Sequence, residues 1–290
     1  MTDRLSRDRP TFSVEFFPPK DEDGETELWK AIDRLQSLDP AFVSVTYGAG
    51  GGSRDRTIRT TSRIVADTEL VAMAHLTAVS HSVDELRAVL RAYRDAGIDN
   101  VLAIRGDPPG DPLGEWTPHP AGLSYAGELV RLVKEVDPGF QVGVAAFPYG
   151  HPRSEDVDSD LRHLVAKIDA GADFAITQLF LEPDGYLRLR DRLAAAGCHV
   201  PLLPGIMPLT SARTLRRGPE LSGAPLPPGL EERLAPYLDD SVAFRAAGID
   251  VTTELCAALL AEGVPAIHFY TLNRSTATSE IVHRLGLVEN

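Results

Sequence analysis

Apolar positions along this chain recur with two periods, and each switch between them marks a strand followed by a helix. Residues 13–17 read Ser-Val-Glu-Phe-Phe. Successive side chains of a strand alternate faces, so Ser13, Glu15 and Phe17 share one face while Val14 and Phe16 share the other. Pro18 and Pro19 carry no backbone N–H and end the ladder. Leu28, Ile32 and Leu35 then fall at helical spacing within residues 25–37, the stripe of an amphipathic helix. The same reading predicts further strands at 42–46, 71–76, 100–104, 141–146, 174–178, 200–204 and 266–270. Helices over 54–67, 82–96, 125–136, 155–170 and 186–196, and helical segments up to 262, separate them. Ser82 and Glu85 form the capping-box signature at the start of one helix.

Eight such units with no internal linker predict an α/β fold: a (β/α)8 TIM barrel forming a single domain over residues 1–290, with 1–10 as a flexible tail. Barrels of this kind place their active sites at the C-terminal ends of the strands. Glu15, Thr46, His75, Asp107, His151, Gln178 and Tyr270 all fall at or just beyond predicted strand ends, which marks that end as the candidate site. Glu15 stands out among them. A carboxyl group at the end of an apolar strand loses hydration, which disfavours its charged form and suits it to donate a proton at neutral pH. A glutamate bending out to water from a strand edge is the competing reading.

Composition narrows the partners. The chain is 43% hydrophobic and 24% charged, with a formal net charge of -13, which suits a large buried core and disfavours nucleic acid and anionic membrane surfaces. An anionic ligand needs a local positive site. The two cysteines, Cys198 and Cys256, lack metal-ligand spacing and argue against a disulfide framework, so a reducing cytoplasm is expected. No stretch approaches the ~18 apolar residues of a membrane span.

Four local patterns carry no assignment on their own. Glu15, His75, Asp107 and His151 could converge on a metal, but no His-x-His or His-Glu-x-x-His spacing supports one, and no metal is expected. The run Gly48, Gly50, Gly51, Gly52 lacks the Lys-Ser/Thr of a P-loop, so a flexible turn competes with a phosphate cradle. Ser44 and Ser53 sit in no nucleophile motif. Asp160, Leu164 and Lys167 share one helix face, where the lysine either meets a phosphate or belongs to a solvated charge pair.

Taken together, eight stretches resemble the methylenetetrahydrofolate reductase family. They are Val14 to Pro19, Phe42 to Ala49, Ala74 to Thr77, Arg105-Gly106-Asp107, Asp169 to Ala172, Ile176-Thr177-Gln178, Pro204-Gly205-Ile206 and His268 to Arg274. They span nearly the whole chain in order and match the short bacterial form, without a regulatory C-terminal domain. The resemblance implies a flavin-dependent barrel that reduces 5,10-methylenetetrahydrofolate to 5-methyltetrahydrofolate, with noncovalent FAD and with NADH or NADPH as hydride donor. Homo-oligomers are compatible with it. It makes Glu15 the acid that protonates the folate amine, Asp107 the carboxylate near flavin and pterin, and Gln178 a substrate-binding amide. Tyr186 and Arg274 would lie near the folate or its tail. FAD would be held by Thr46, Tyr47, Ala49, His75, Arg105 and Gly106 on one side. Asp107, Phe147, His151, Asp160 and Lys167 would hold it on the other. Three positions depart from the bacterial pattern. Phe147 replaces a common Tyr, Tyr149 stands where an acidic residue often follows the proline, and Ala212 takes the place of a Phe, a lost ring contact of ~1 kcal/mol. Another flavin barrel, such as a proline dehydrogenase relative, and a catalytically silent folate or flavin binder are the alternative readings.

Overall fold

A computed structural model describes residues 1–5, 9–47, 51–108, 110 and 114–288. Its strands are β1 (Thr11–Phe16), β2 (Val43–Val45), β3 (Ala72–Thr77), β4 (Asn100–Ile104), β5 (Gln141–Ala146), β6 (Phe174–Thr177), β7 (Leu202–Leu203), β8 (Gly205–Ile206) and β9 (Ala266–Tyr270). All pair in parallel, in the order β7-β6-β5-β4-β3-β2-β1-β9-β8. β7 and β8 are two halves of one stave. Pro204 between them has no N–H to continue a ladder, so β7 pairs only with β6 and β8 only with β9. The Pro204 carbonyl still accepts from His268 N at 2.9 Å, and eight staves close into the expected barrel.

The helices are α1 (Thr2–Leu5), α2 (Glu22–Gln36), α3 (Gly51–Asp67), α4 (Val83–Asp95), α5 (Ala126–Val136), α6 (Val157–Asp169), α7 (Pro183–Ala195), α8 (Ala212–Ser222), α9 (Leu230–Leu234), α10 (Ser241–Ala261) and α11 (Ser275–Arg284). Local chemistry explains where several begin. Asp21 caps α2 by accepting from Gly24 N at 2.8 Å, so that helix starts before its first apolar residue. Ser82 and Glu85 make the reciprocal capping bonds at α4.

Strand alternation divides the interior. Phe12, Val14 and Phe16 face outward onto Leu28, Ile32 and Leu35 of α2, each buried phenyl ring contributing roughly 1.5–3 kcal/mol. Inside the barrel, Phe42, Met73, Leu102, Phe174 and Leu203 fill the N-terminal end. Leu5 of α1 joins that cluster. Residues 1–5 are therefore not a free tail: Leu5 is buried, Arg4 pairs with Asp39 at 2.8 Å, and Thr2 N donates to Gln141 Oε1 at 2.9 Å. The apolar plug occupies the N-terminal end, and the inward positions nearer the C-terminal strand ends are polar.

Barrel closure depends on the absence of a side chain at Gly205. A Cβ there would lie 2.2 Å from Thr177 O and 2.7 Å from Tyr270 Cε2, and Gly205 N donates to Thr177 Oγ1 at 2.9 Å. Gly205→Ala is expected to destabilise the fold by about 1–3 kcal/mol through overpacking, read as a lower urea midpoint at unchanged m-value. An unaltered midpoint would show that the carbonyl and ring yield without cost.

Candidate functional site

The polar half of the barrel interior is built around Glu15. Its register partners are Ser44 on β2 and Tyr270 on β9, and the residue is only 8% exposed. Glu15 Oε2 lies 3.4 Å from His75 Nε2 and 3.7 Å from His268 Nε2. Neither Nε2 atom has a hydrogen-bond partner, and the Ser44 and Thr77 hydroxyls beside them on β2 and β3 are also unpartnered. His268 is held from its other side, with Nδ1 2.8 Å from Ser13 Oγ. The Phe42 ring stacks against it at 5.8 Å and Tyr270 meets it edge-on at 5.3 Å. Tyr270 in turn donates its hydroxyl to Thr177 O at 2.7 Å.

These contacts fix protonation states. Burial pushes the His75 imidazole down to about 4, opposed by the Glu15 carboxyl and reinforced by His268. His75 is thus a neutral ring at neutral pH. Burial, and then the negative charge of Glu15, raises the Tyr270 phenol well above its ordinary value, so it remains a donor. The enclosed Glu15 carboxyl therefore faces a neutral His75 ring on one side.

A second wall carries positive charge. Arg105 follows β4 with its guanidinium 5.0 Å from the Trp116 ring, and Trp116 Nε1 donates to Gly106 O at 3.1 Å. Gly106 has φ +83°, and a Cβ there would lie 2.6 Å from Val79 Cγ1, so glycine is required for this turn. Burial lowers the pKa of Arg105, repulsion from Arg153 adds to it, and Asp107 and Tyr125 oppose it. Lys167 on α6 donates to Ala145 O. Burial brings it down to about 8, with Asp160 opposing and Arg105 reinforcing. Lys167 is therefore no solvated surface charge. His151 is lowered by burial and then by Arg105, with Asp160 opposing. Its ring meets Phe147 edge-on at 4.7 Å, and Asp160 accepts from Ser154 Oγ at 2.9 Å.

The remaining expected residues are scattered more widely. Asp107 is exposed at the edge of the basic wall. Gln178 follows β6, its Oε1 accepting from Leu179 N at 2.9 Å, which leaves its NH2 as a donor. Thr46 N donates to Phe16 O at 2.9 Å. Tyr47 is buried, and its hydroxyl is 3.0 Å from His81 Nε2. Since His81 Nδ1 lies 2.7 Å from the Val79 carbonyl and must donate to it, Nε2 accepts from Tyr47. Arg274 is exposed just before α11. Ala49, with Gly48 and Gly50, lies outside the described residues. Tyr186 is not brought to the strand ends' polar interior: it is 1% exposed, stacks on Phe180 in the core, and donates to Leu202 O at 2.8 Å. The metal quartet also separates, Glu15 and His75 sitting at the axis while Asp107 and His151 border the basic wall. Among the described residues no group of three or more His, Cys, Asp or Glu could hold a metal ion, and no helix is long and apolar enough to cross a membrane.

No site role was read from the sequence for His268 or Ser13, nor for Trp116 and the stacked pair Tyr125–His163, whose rings lie 5.6 Å apart. His268 was readable, because period-two alternation on β9 puts it on the same face as Tyr270. Trp116 sits in a Pro- and Gly-rich loop with no periodicity to place it.

The methylenetetrahydrofolate reductase family model matches residues 1–286. The chain is 41% identical over 276 residues to the 5,10-methylenetetrahydrofolate reductase of Escherichia coli, covering 95% of this chain and 90% of that protein. It is 37% identical to methylenetetrahydrofolate reductase 1 of Schizosaccharomyces pombe, covering 98% of this chain but 47% of the yeast protein, so it spans about half of that longer relative. Among solved structures, an uncharacterized Clostridium thermocellum protein that binds two copies of 5-methyl-5,6,7,8-tetrahydrofolic acid superposes with a TM-score of 0.63. It is 18% identical and covers 97% of this chain and 96% of that one, a likeness of fold.

The axis geometry sets a titration. His75 is expected to stay neutral in the folded protein until about pH 4, whereas the unfolded chain takes up that proton near 6.5. Stability is therefore fully present above pH 6.5 and is lost as pH falls from there toward 4. Imidazole NMR shifts would read the midpoint directly; a midpoint near 6.5 would mean that the ring is reached by water.

Proposed function

The chain belongs to the methylenetetrahydrofolate reductase family, and on that premise we propose that it reduces 5,10-methylenetetrahydrofolate to 5-methyltetrahydrofolate. FAD is the redox carrier and NADH or NADPH the hydride donor. The observation that carries this reading is the buried Glu15 carboxyl between two imidazoles at the polar end of the barrel. Opening the folate's five-membered ring requires N10 to accept a proton as its C–N bond breaks, and a positioned carboxylic acid is suited to give it.

The basic wall fits a flavin dinucleotide. Arg105 and Lys167 bring positive charge together inside a protein of net charge -13, the pairing that a diphosphate needs. Tyr125 and His163 add a flat ring surface beside Arg105. When bound, FAD would supply hydride storage between nucleotide and folate. His151 and Asp160 lie beside these cations and Gly106 next to Arg105, and Thr46, Tyr47, Ala49 and Phe147 are proposed to complete the flavin site. Asp107 would stabilise positive charge developing on the folate, Gln178 would donate its NH2 to the pterin, and Arg274 would meet the acidic tail. The neutral His75 sets no cation against the Glu15 carboxyl.

Two measurements test these assignments. The protein is expected to purify yellow, and Lys167→Ala to weaken FAD retention by roughly 1–3 kcal/mol, the range for a charge-assisted hydrogen bond. Because the free ammonium loses its proton near pH 8, FAD affinity of the native protein should decline as pH rises above that value. A colourless protein that reduces folate without added flavin, or pH-independent affinity, counts against the site.

Glu15→Gln separates the two half-reactions. Hydride transfer from the nicotinamide creates no leaving amine, so stopped-flow bleaching of the flavin by NADH should stay within about tenfold of wild type. Recovery of absorbance with methylenetetrahydrofolate should fall by at least ~100-fold, the lower end of general-acid contributions. Equal slowing of both would make Glu15 a flavin-tuning or structural residue.

A further inference from the structure

On its β9 side the end of β1 is held by side chains and not by the ladder, while its β2 side stays paired through Phe16. Backbone pairing of β1 with β9 stops at Glu15 and Tyr270, and Pro18 and Pro19 cannot extend it. Phe17 is the last residue with an N–H to offer. Its N–H donates to Asn273 Oδ1 at 2.8 Å, while Asn273 Nδ2 donates to Phe17 O at 3.0 Å. Just before, Thr271 Oγ1 donates to Glu15 O at 2.6 Å. The Asn273 carboxamide thus does what a peptide group of a neighbouring strand would do, with one donor and one acceptor for each side of Phe17.

The chain spends conformational energy to make this possible. Leu272 and Asn273 have φ of 51° and 59°, left-handed values that cost a non-glycine residue free energy and persist only where the surroundings enforce them. The turn leaves Phe17 and Leu272 43% and 45% exposed beside the exposed Arg274. We propose that Asn273 is a positioning residue for the folate half-reaction: its side-chain amide splints the strand end that carries Glu15 and sets the Phe17 and Arg274 rim against it. The inference rests on the function proposed above. A rigid strand end keeps the acid within reach of the reacting nitrogen, where displacement by about 1 Å can cost two orders of magnitude.

Asn273→Gly tests the splint without disturbing the turn, because glycine adopts φ near +60° readily and only the carboxamide is lost. Amide hydrogen exchange at Phe17 should quicken by about tenfold or more as its acceptor disappears. Flavin bleaching by NADH should stay within about threefold of wild type, while recovery with methylenetetrahydrofolate falls about 10- to 100-fold. Asn273→Asp, which can accept from Phe17 N but has no N–H for Phe17 O, should fall between the two. Unchanged folate recovery beside a normal wild type overturns the proposal, as does equal slowing of both half-reactions. A wild-type protein without folate-dependent recovery counts instead against the function proposed above, and is seen without any variant.

Discussion

A carboxyl group enclosed in a barrel gives up its water, and what replaces that water decides whether it stays an acid or becomes half of an ion pair. Around Glu15 the replacements are imidazoles. Among the described residues its neighbours within ion-pair range are His75 and His268, and burial keeps His75 uncharged. Had the chain set an arginine there, the carboxylate would be locked in its charged form. The arrangement depends on Phe42 below, which stacks under His268, and on Ser13, which fixes that ring from the side.

Positive charge is kept elsewhere. Lys167 reaches the basic wall from the last turn of α6, and Arg105 from the end of β4. Burial lowers the proton affinity of both; Arg105 adds to this at Lys167 and Arg153 at Arg105, while Asp160 and Asp107 respectively offset part of the repulsion. Against a net charge of -13, it is the mutual repulsion of these clustered cations that a matching anion would relieve. Barrel geometry separates the enclosed Glu15 carboxyl at the axis from the cations of the wall.

Much of this was legible because the physics is local. Period-two alternation on β1 put Ser13 and Glu15 on one face, the double proline fixed its end, and the Ser82–Glu85 capping box appears as its spacing implied. The Lys167 and Asp160 face of α6 was readable in the same way, though only tertiary packing shows that the lysine is drawn inside. Other features depend on contacts between distant segments. Pro204 splits one stave into β7 and β8, which a five-residue apolar run does not reveal. Gly51 and Gly52 belong to α3 and not to a turn, since the helix extends ahead of its apolar stripe. α1 is too short to show a period, and Leu5 is recognisable as a plug only beside Phe42 and Met73. Tyr186 follows a strand end in sequence but lies on the core face of α7.

The pairing of β1 with β9 also dictates the order in which the molecule can be finished. Ser13 and His268 are 255 residues apart, and synthesis proceeds at roughly 5–20 residues per second. One edge of β1 therefore waits through nearly the whole of translation, with open N–H and C=O groups of the kind that invite pairing with another chain. During that wait Glu15 is in water and fully hydrated. Its dehydration belongs to the closing step, when β9 arrives with His268, Tyr270 and Thr271 together. The last seam to form in the barrel is also the one that encloses Glu15, so a chain arrested just short of closure carries that carboxyl without its two imidazole neighbours in place.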